Sequence, residues 1–237
     1  MAHFTLHPAH TRGHADLGWL KSNHTFSFAS YYNPERVHFG KLRVLNDDIV
    51  AGGMGFGTHP HDNMEIISIG LSGAIQHQDS MGNRQTIHAG EIQVMSAGTG
   101  IQHSEFNPNR EQALNFLQIW IFPKTRDVEP RYQQMQIDTA AMQNQFAQIL
   151  SPNTEDAGVW IHQDAWFHMG HFDAGTQAEY SVKQPGNGVY AFVISGSVTC
   201  DGHSLADRDG AAIEGADHLI FSFAENSQVL LMEIPMR

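Results

Sequence analysis

Two short stretches of the chain carry residues whose types and spacing suit metal chemistry. The first is Gly57-Thr58-His59-Pro60-His61-Asp62-Asn63-Met64-Glu65. The second is Ala97-Gly98-Thr99-Gly100-Ile101-Gln102-His103-Ser104-Glu105. Each holds two potential ligands two residues apart, His59 with His61 and His103 with Glu105. Residues i and i+2 of an extended strand point to the same face, so each stretch presents its pair together. Two such strands brought together offer three imidazoles and one carboxylate to a single ion, a set suited to a borderline first-row divalent metal. Four protein ligands leave an ion of octahedral preference two positions for water, O2 or a bidentate substrate. A structural site is more often closed, tetrahedral and rich in cysteine. The single cysteine, Cys200, is distant in sequence from both stretches.

The chain has 16 histidines, so an isolated H-x-H pair would carry little weight. The flanks add to it. Gly53 stands six residues before His59, Glu65 four after His61, and Gly73 opens a turn; Gly90, Gly98, His103 and Asn107 follow. These resemble the two motifs of the cupin superfamily. Further stretches narrow the likeness: Arg12-Gly13-His14-Ala15, Gly18-Trp19-Leu20, His24-Thr25-Phe26-Ser27-Phe28, Leu45-Asn46-Asp47-Asp48, His77-Gln78-Asp79-Ser80-Met81-Gly82 and Ser96-Ala97-Gly98-Thr99-Gly100-Ile101. Over nearly all of residues 10 to 135 the chain resembles the pirin family, and more loosely beyond. Within it, the chain is similar to the bacterial type with quercetin 2,3-dioxygenase activity.

The resemblance implies an all-β bicupin of two jelly-roll lobes, with one divalent transition metal in the N-terminal lobe and none in the C-terminal one. It implies His59, His61, His103 and Glu105 as the ligands. Fe(II) is the natural dioxygenase metal, and Mn, Ni, Co, Cu and Zn ligate similarly. The implied reaction is oxygen-dependent cleavage of a flavonol such as quercetin. A metal would lower the pKa of the flavonol 3-hydroxyl, and Glu105 is placed to take that proton, which makes it the catalytic candidate. A second reading is a metal-bearing, redox-sensing regulator that binds a protein partner. Glu65 matches the cupin glutamate; counted by twos from His61 it faces inward, where it would orient a histidine N–H. Phe56, Met64, Phe106, Phe116 and Trp120 lie near the ligand strands and are candidates for an apolar pocket or for core. His24 either lines a site or packs the barrel rim.

The elements that must position these groups are strands. Short apolar or alternating runs recur from Leu42 to Phe122, punctuated by Ser72-Gly73, Ser80-Met81-Gly82-Asn83 and Ala89-Gly90. Such spacing indicates a sandwich or barrel. Four glycines between Ala51 and Gly57 lack the spacing and following helix of a phosphate loop, and read instead as a tight bend before the ligand strand. Lys124 to Gln134 reads as a linker, so the expected division is 1–130 and 131–237. Thr139 to Gln148 reads as a short helix. Val189 to Val198 then echoes Ile66 to Ile75, a weak repeat of a whole lobe. Aligning the lobes on Gly73 and Gly196 sets Val182 and Gln184 opposite His59 and His61. His168 and His171, three apart, fall on opposite faces of a strand. The second lobe therefore reads as metal-free.

Composition bounds the rest. Hydrophobic residues make up 41% and charged residues 16%, with 22 glycines. One cysteine excludes an intrachain disulfide. The expected location is cytoplasmic, with no secretory signal and no apolar run approaching the ~18 residues of a membrane span. Net charge is −12, of which residues 136 to 237 carry −10, with 3 Lys/Arg against 13 Asp/Glu. An acidic half of that kind repels phosphate backbones, so no direct nucleic-acid binding is expected.

Overall fold

Alternation disappears in Glu65–Ser72, where Glu65 through Gly70 are all buried. A strand covered on both faces reads as a continuous apolar run. This one lies inside a seven-stranded sheet, in the order Arg131–Gln136, Glu91–Ser96, Glu65–Ser72, Leu114–Ile121, Leu42–Val50, Leu20–His24 and Gly13–Asp16. A four-stranded sheet of Gly55–His61, Ile101–Phe106, Ala74–Asp79 and Arg84–His88 completes the first lobe. The computed structural model describes residues 2–237; apart from strands, its regular structure is two 3-10 turns, Ala9–Thr11 and Ala140–Met142.

The second lobe repeats the plan. Seven strands run in the order His3–His7, Gly210–Glu214, Asn187–Ser195, Ser227–Pro235, Trp166–Phe172, Ala147–Ser151 and Val159–Trp160. Gln177–Ser181, His218–Ser222, Val198–Cys200 and His203–Leu205 form its four-stranded sheet. The molecule is a bicupin. The internal echo is the pair Glu65–Ser72 and Asn187–Ser195, each followed by a glycine at positive φ, Gly73 and Gly196.

The period of two sorts each strand into two cores. Ile67, Ile69, Leu117, Ile119 and Leu45 leave the first lobe's outer face to pack with Phe167, Tyr190, Phe192, Leu230 and Met232 of the second. Each such side chain contributes on the order of 1.5–3 kcal/mol when fully buried. The opposite faces line the lobe interiors, and here the lobes differ. The second interior is filled by Val189, Ala191, Val193, Cys200, Phe221 and Leu231. The first is apolar only at its ends, around Phe116 and around Ile66. Between them a polar row crosses the sheet: Gln93 pairs with Ser68, Ser68 with Gln118, Gln118 with Asn46, and Asn46 with His24.

Two expectations change. The last four residues of the Lys124–Gln134 segment are not linker, because Arg131–Gln136 pairs with Glu91–Ser96 in the first lobe's sheet. In return, His3–His7 crosses to pair with Gly210–Glu214 in the second. The helix expected over Thr139–Gln148 is one 3-10 turn, its first N–H groups held by Asp138 Oδ1. Asn144, at φ 56, ends it in the left-handed region, and Ala147–Ser151 is already strand.

Candidate metal centre

Ile101–Phe106 runs between Gly55–His61 and Ala74–Asp79, and its register assembles the site. His103 lies opposite His59 on one side and Asp79 on the other, and Glu105 lies opposite His77. Gly98, at φ 48, makes the turn into this strand; a Cβ there would strike the Val128 carbonyl. The ligand atoms of His59, His61 and His103 all lie within 4.8 Å of one another. Their ring centroids are 4.4 to 4.9 Å apart. A bulge then shifts the register, so that Glu105 pairs with Phe56. The Glu105 carboxylate falls in a second group, with His77 and His103, again within 4.8 Å. Among the described residues no single group holds all four expected ligands: His59, His61 and His103 form one, Glu105 falls in the other with His77, and the two share His103. Among the described residues both groups lie in the first lobe; Val182 packs into the second lobe's apolar core.

The electrostatics favour bare nitrogen lone pairs. His59 Nδ1 is 2.8 Å from the Gly57 carbonyl, to which it can only donate, which leaves Nε2 as its lone-pair atom. Burial, then the neighbouring His59, hold His61 down at about 4. Burial, then His59, His61 and His77, hold His103 at about 2. His103 Nε2 is buried with no hydrogen-bond partner. Neutral imidazoles with an orphaned nitrogen fit a first-row divalent ion, which would supply what that nitrogen lacks.

Glu105 is buried, and burial, then repulsion from Asp48, raise it to about 7. The polar row holds it. Gln93 Nε2 donates to Ser68 Oγ at 3.3 Å, Ser68 donates to Gln118 Oε1 at 3.0 Å, and Gln118 Nε2 donates to Glu105 Oε2 at 3.0 Å. Glu105 and His59 open onto one cavity of about 290 Å³, walled by Trp19, Phe28, Phe56 and Trp120, with Asn46, Asp48 and His24 as its polar lining.

Several candidates find other places. Phe56 and Trp120 line this cavity, and so does His24. Phe116 is core, Met64 packs against the Ile66 cluster, and Phe106 is exposed. Glu65 orients no histidine: it accepts from Ser96 Oγ at 2.7 Å and faces Arg131. The count by twos from His61 crosses Asn63, whose φ of 45 breaks the strand, so parity does not carry across. His77, Asp79, Gln118 and Asp48 join the site without having been singled out as functional residues. The i, i+2 spacing of His77 and Asp79 was the available signal.

A family model described as Pirin matches residues 5–121, and one described as Quercetinase C-terminal cupin domain matches residues 148–234. The chain belongs to the pirin family. It is 43% identical over 230 residues to the quercetin 2,3-dioxygenase of Escherichia coli K12, covering 97% of this chain and 98% of that one. It is 39% identical over 222 residues to a pirin-like protein of Caulobacter vibrioides, covering 93% and 95%. The crystal structure of the bacterial pirin YhhW from Escherichia coli in complex with nickel(II) superposes with a TM-score of 0.93 at 40% identity, over 98% of this chain and 99% of that one. Among the described residues, no helix is long and apolar enough to cross a membrane.

Proposed function

We propose that this chain is a metal-dependent quercetin 2,3-dioxygenase, cleaving the ring of a flavonol with O2. The metal is held by His59, His61, His103 and Glu105 in the lobe formed mainly by residues 1–130, and the lobe of residues 131–237 holds none. The observation that carries this reading is the aromatic-walled cavity onto which both His59, one of three clustered imidazoles, and the Glu105 carboxyl open. Relatives bearing the quercetin 2,3-dioxygenase name, and a relative crystallised with nickel(II), support it.

A divalent metal bound there supplies Lewis acidity that lowers the substrate hydroxyl's pKa, and Fe(II) is the metal this reading favours. The remaining roles belong to the chain. Trp19, Phe28, Phe56 and Trp120 bind the flat aromatic system and exclude water. Trp120 Nε1, Asn46 Oδ1 and Asp48 Oδ1 are buried without partners, one donor and two acceptors for a ligand's carbonyl and hydroxyl groups. Glu105, opening onto the same cavity, accepts the 3-hydroxyl proton.

The test is aerobic oxygen uptake by protein reconstituted with Fe(II). Uptake should begin only when quercetin is added and should disappear in His59→Ala/His61→Ala. A fully loaded protein that consumes no oxygen with quercetin would refute the assignment.

A further inference from the structure

Asp79 is fixed by its own turn. Its Oδ1 accepts from the Met81 and Asn83 N–H groups at 3.0 and 3.1 Å, and its Oδ2 from Asn83 Nδ2 at 2.9 Å. Oδ2 also lies 3.0 Å from His77 Nε2, with both side chains fully buried. A carboxylate only accepts, so His77 Nε2 carries the proton and donates it. The neutral ring then presents a lone pair at Nδ1. That atom is 3.5 Å from His103 Nδ1. Two facing lone pairs would repel, so His103 Nδ1 holds a hydrogen and donates it. The lone pair of His103 is thereby left on Nε2, the buried atom with no hydrogen-bond partner. Tyr132 stacks on the His77 ring at 4.7 Å and 30°, which holds the plane of the relay.

We propose that Asp79 and His77 are positioning residues, a carboxylate–imidazole relay that fixes His103 in the tautomer whose Nε2 faces the metal. The inference rests on the metal reading of His59, His61 and His103 given above. Ligating histidines commonly donate their second N–H to a carboxylate or carbonyl; here the carboxylate acts through an intervening imidazole. A cation held instead by His77, His103 and Glu105 would displace the Nδ1 hydrogen, so that arrangement and the relay exclude each other.

Asp79→Asn tests it. The Met81 and Asn83 backbone N–H groups cannot turn away, so the amide oxygen takes the place of Oδ1 and the new NH2 faces His77 and the Asn83 side chain, whose amide turns to offer its oxygen. His77 then accepts at Nε2 and carries its proton on Nδ1, and the His103 proton moves to Nε2, blocking the metal-facing lone pair. Nitrogen-15 NMR of metal-free protein reads these tautomers directly. Wild type should show His103 protonated at Nδ1, and Asp79→Asn should show the reverse. Co(II) titration followed by absorption should give ~10- to 100-fold weaker binding for Asp79→Asn. Adding His77→Gln should restore affinity, because the glutamine oxygen accepts from His103 Nδ1. Should Asp79→Asn not fold, the other side of the contact serves: His77→Gln keeps Co(II) affinity and His77→Leu loses it.

The relay is overturned if wild-type His103 is protonated at Nε2, if Asp79→Asn matches wild type in tautomer and affinity, if the double variant stays weak, or if wild type binds two Co(II) per chain. Wild type that takes up no Co(II) sinks the metal reading instead, and the nitrogen spectrum still decides the relay.

Discussion

Gln118 donates its amide nitrogen to Glu105 Oε2 at 3.0 Å, and its oxygen accepts the Ser68 hydroxyl at 3.0 Å. A flipped amide would turn its oxygen onto the carboxylate and lose the bond to Glu105. The candidate base therefore always meets a donor, which stabilises its charged form against a burial that disfavours it.

Glu105→Gln removes the negative charge and the basicity but keeps the size. Three imidazoles remain, so metal should still bind, more weakly. A missing general base typically lowers the rate by ~10² to 10⁴, so kcat with quercetin at saturating metal should fall far more than occupancy does. Near-wild-type kcat in the fully loaded variant would exclude the base role.

Elemental analysis of the purified protein should give close to one metal per chain. His59→Ala/His61→Ala should abolish it with the fold intact by circular dichroism. Two equivalents, or retention by the double variant, would contradict a single site in the first lobe.

Asp48 supplies a pH-dependent prediction. Burial raises its carboxyl from 3.8 to about 7. Between those values the native state keeps a proton that the unfolded chain has released. The stability tied to this proton is present below the unfolded value and is lost as pH rises through the folded one. Asp48→Asn should therefore match wild type in thermal stability near pH 4 and exceed it at pH 8. For a chain of this size each kcal/mol shifts Tm by roughly 2–4 °C. A difference in Tm that does not change with pH would show that Asp48 does not titrate in this window.

Phe116 and Trp120 lie four apart on the same face of one strand, yet one is core and the other wall. Phe116→Ala should destabilise by about 3–5 kcal/mol in denaturant unfolding and leave KM for quercetin largely unchanged. Trp120→Leu should raise KM with a smaller loss of stability. Equal effects of the two on KM would mean that the cavity is not where substrate binds.

Much of this was legible in the sequence because a strand's period is short and rigid. His59 with His61, and His103 with Glu105, need only remain extended to share a face, and the glycine turns mark where each strand stops. What escaped depends on pairing between distant segments. Nothing local tells that Gln118 will lie beside Ser68, that Glu105 will fall opposite His77, or that a bulge will set it opposite Phe56. Glu65 was misread for a related reason: one residue at positive φ, Asn63, resets the parity. The exchanged strands at Phe4 and Tyr132 were equally hidden, since each alternates well enough to join either lobe.

That exchange bears on how the molecule could have arisen and how it comes apart. Each lobe completes its large sheet with a strand donated from the other side of the chain midpoint, His3–His7 in one direction and Arg131–Gln136 in the other. A chain severed near residue 130 yields two fragments, each missing a strand of its own sheet and carrying one that belongs elsewhere. Neither fragment carries all the strands of its own large sheet. They are complementary halves, suited to recombine with each other or, at high concentration, with other copies. A duplication of one lobe would not by itself give this pattern, since each large sheet now takes a strand from the opposite half of the chain.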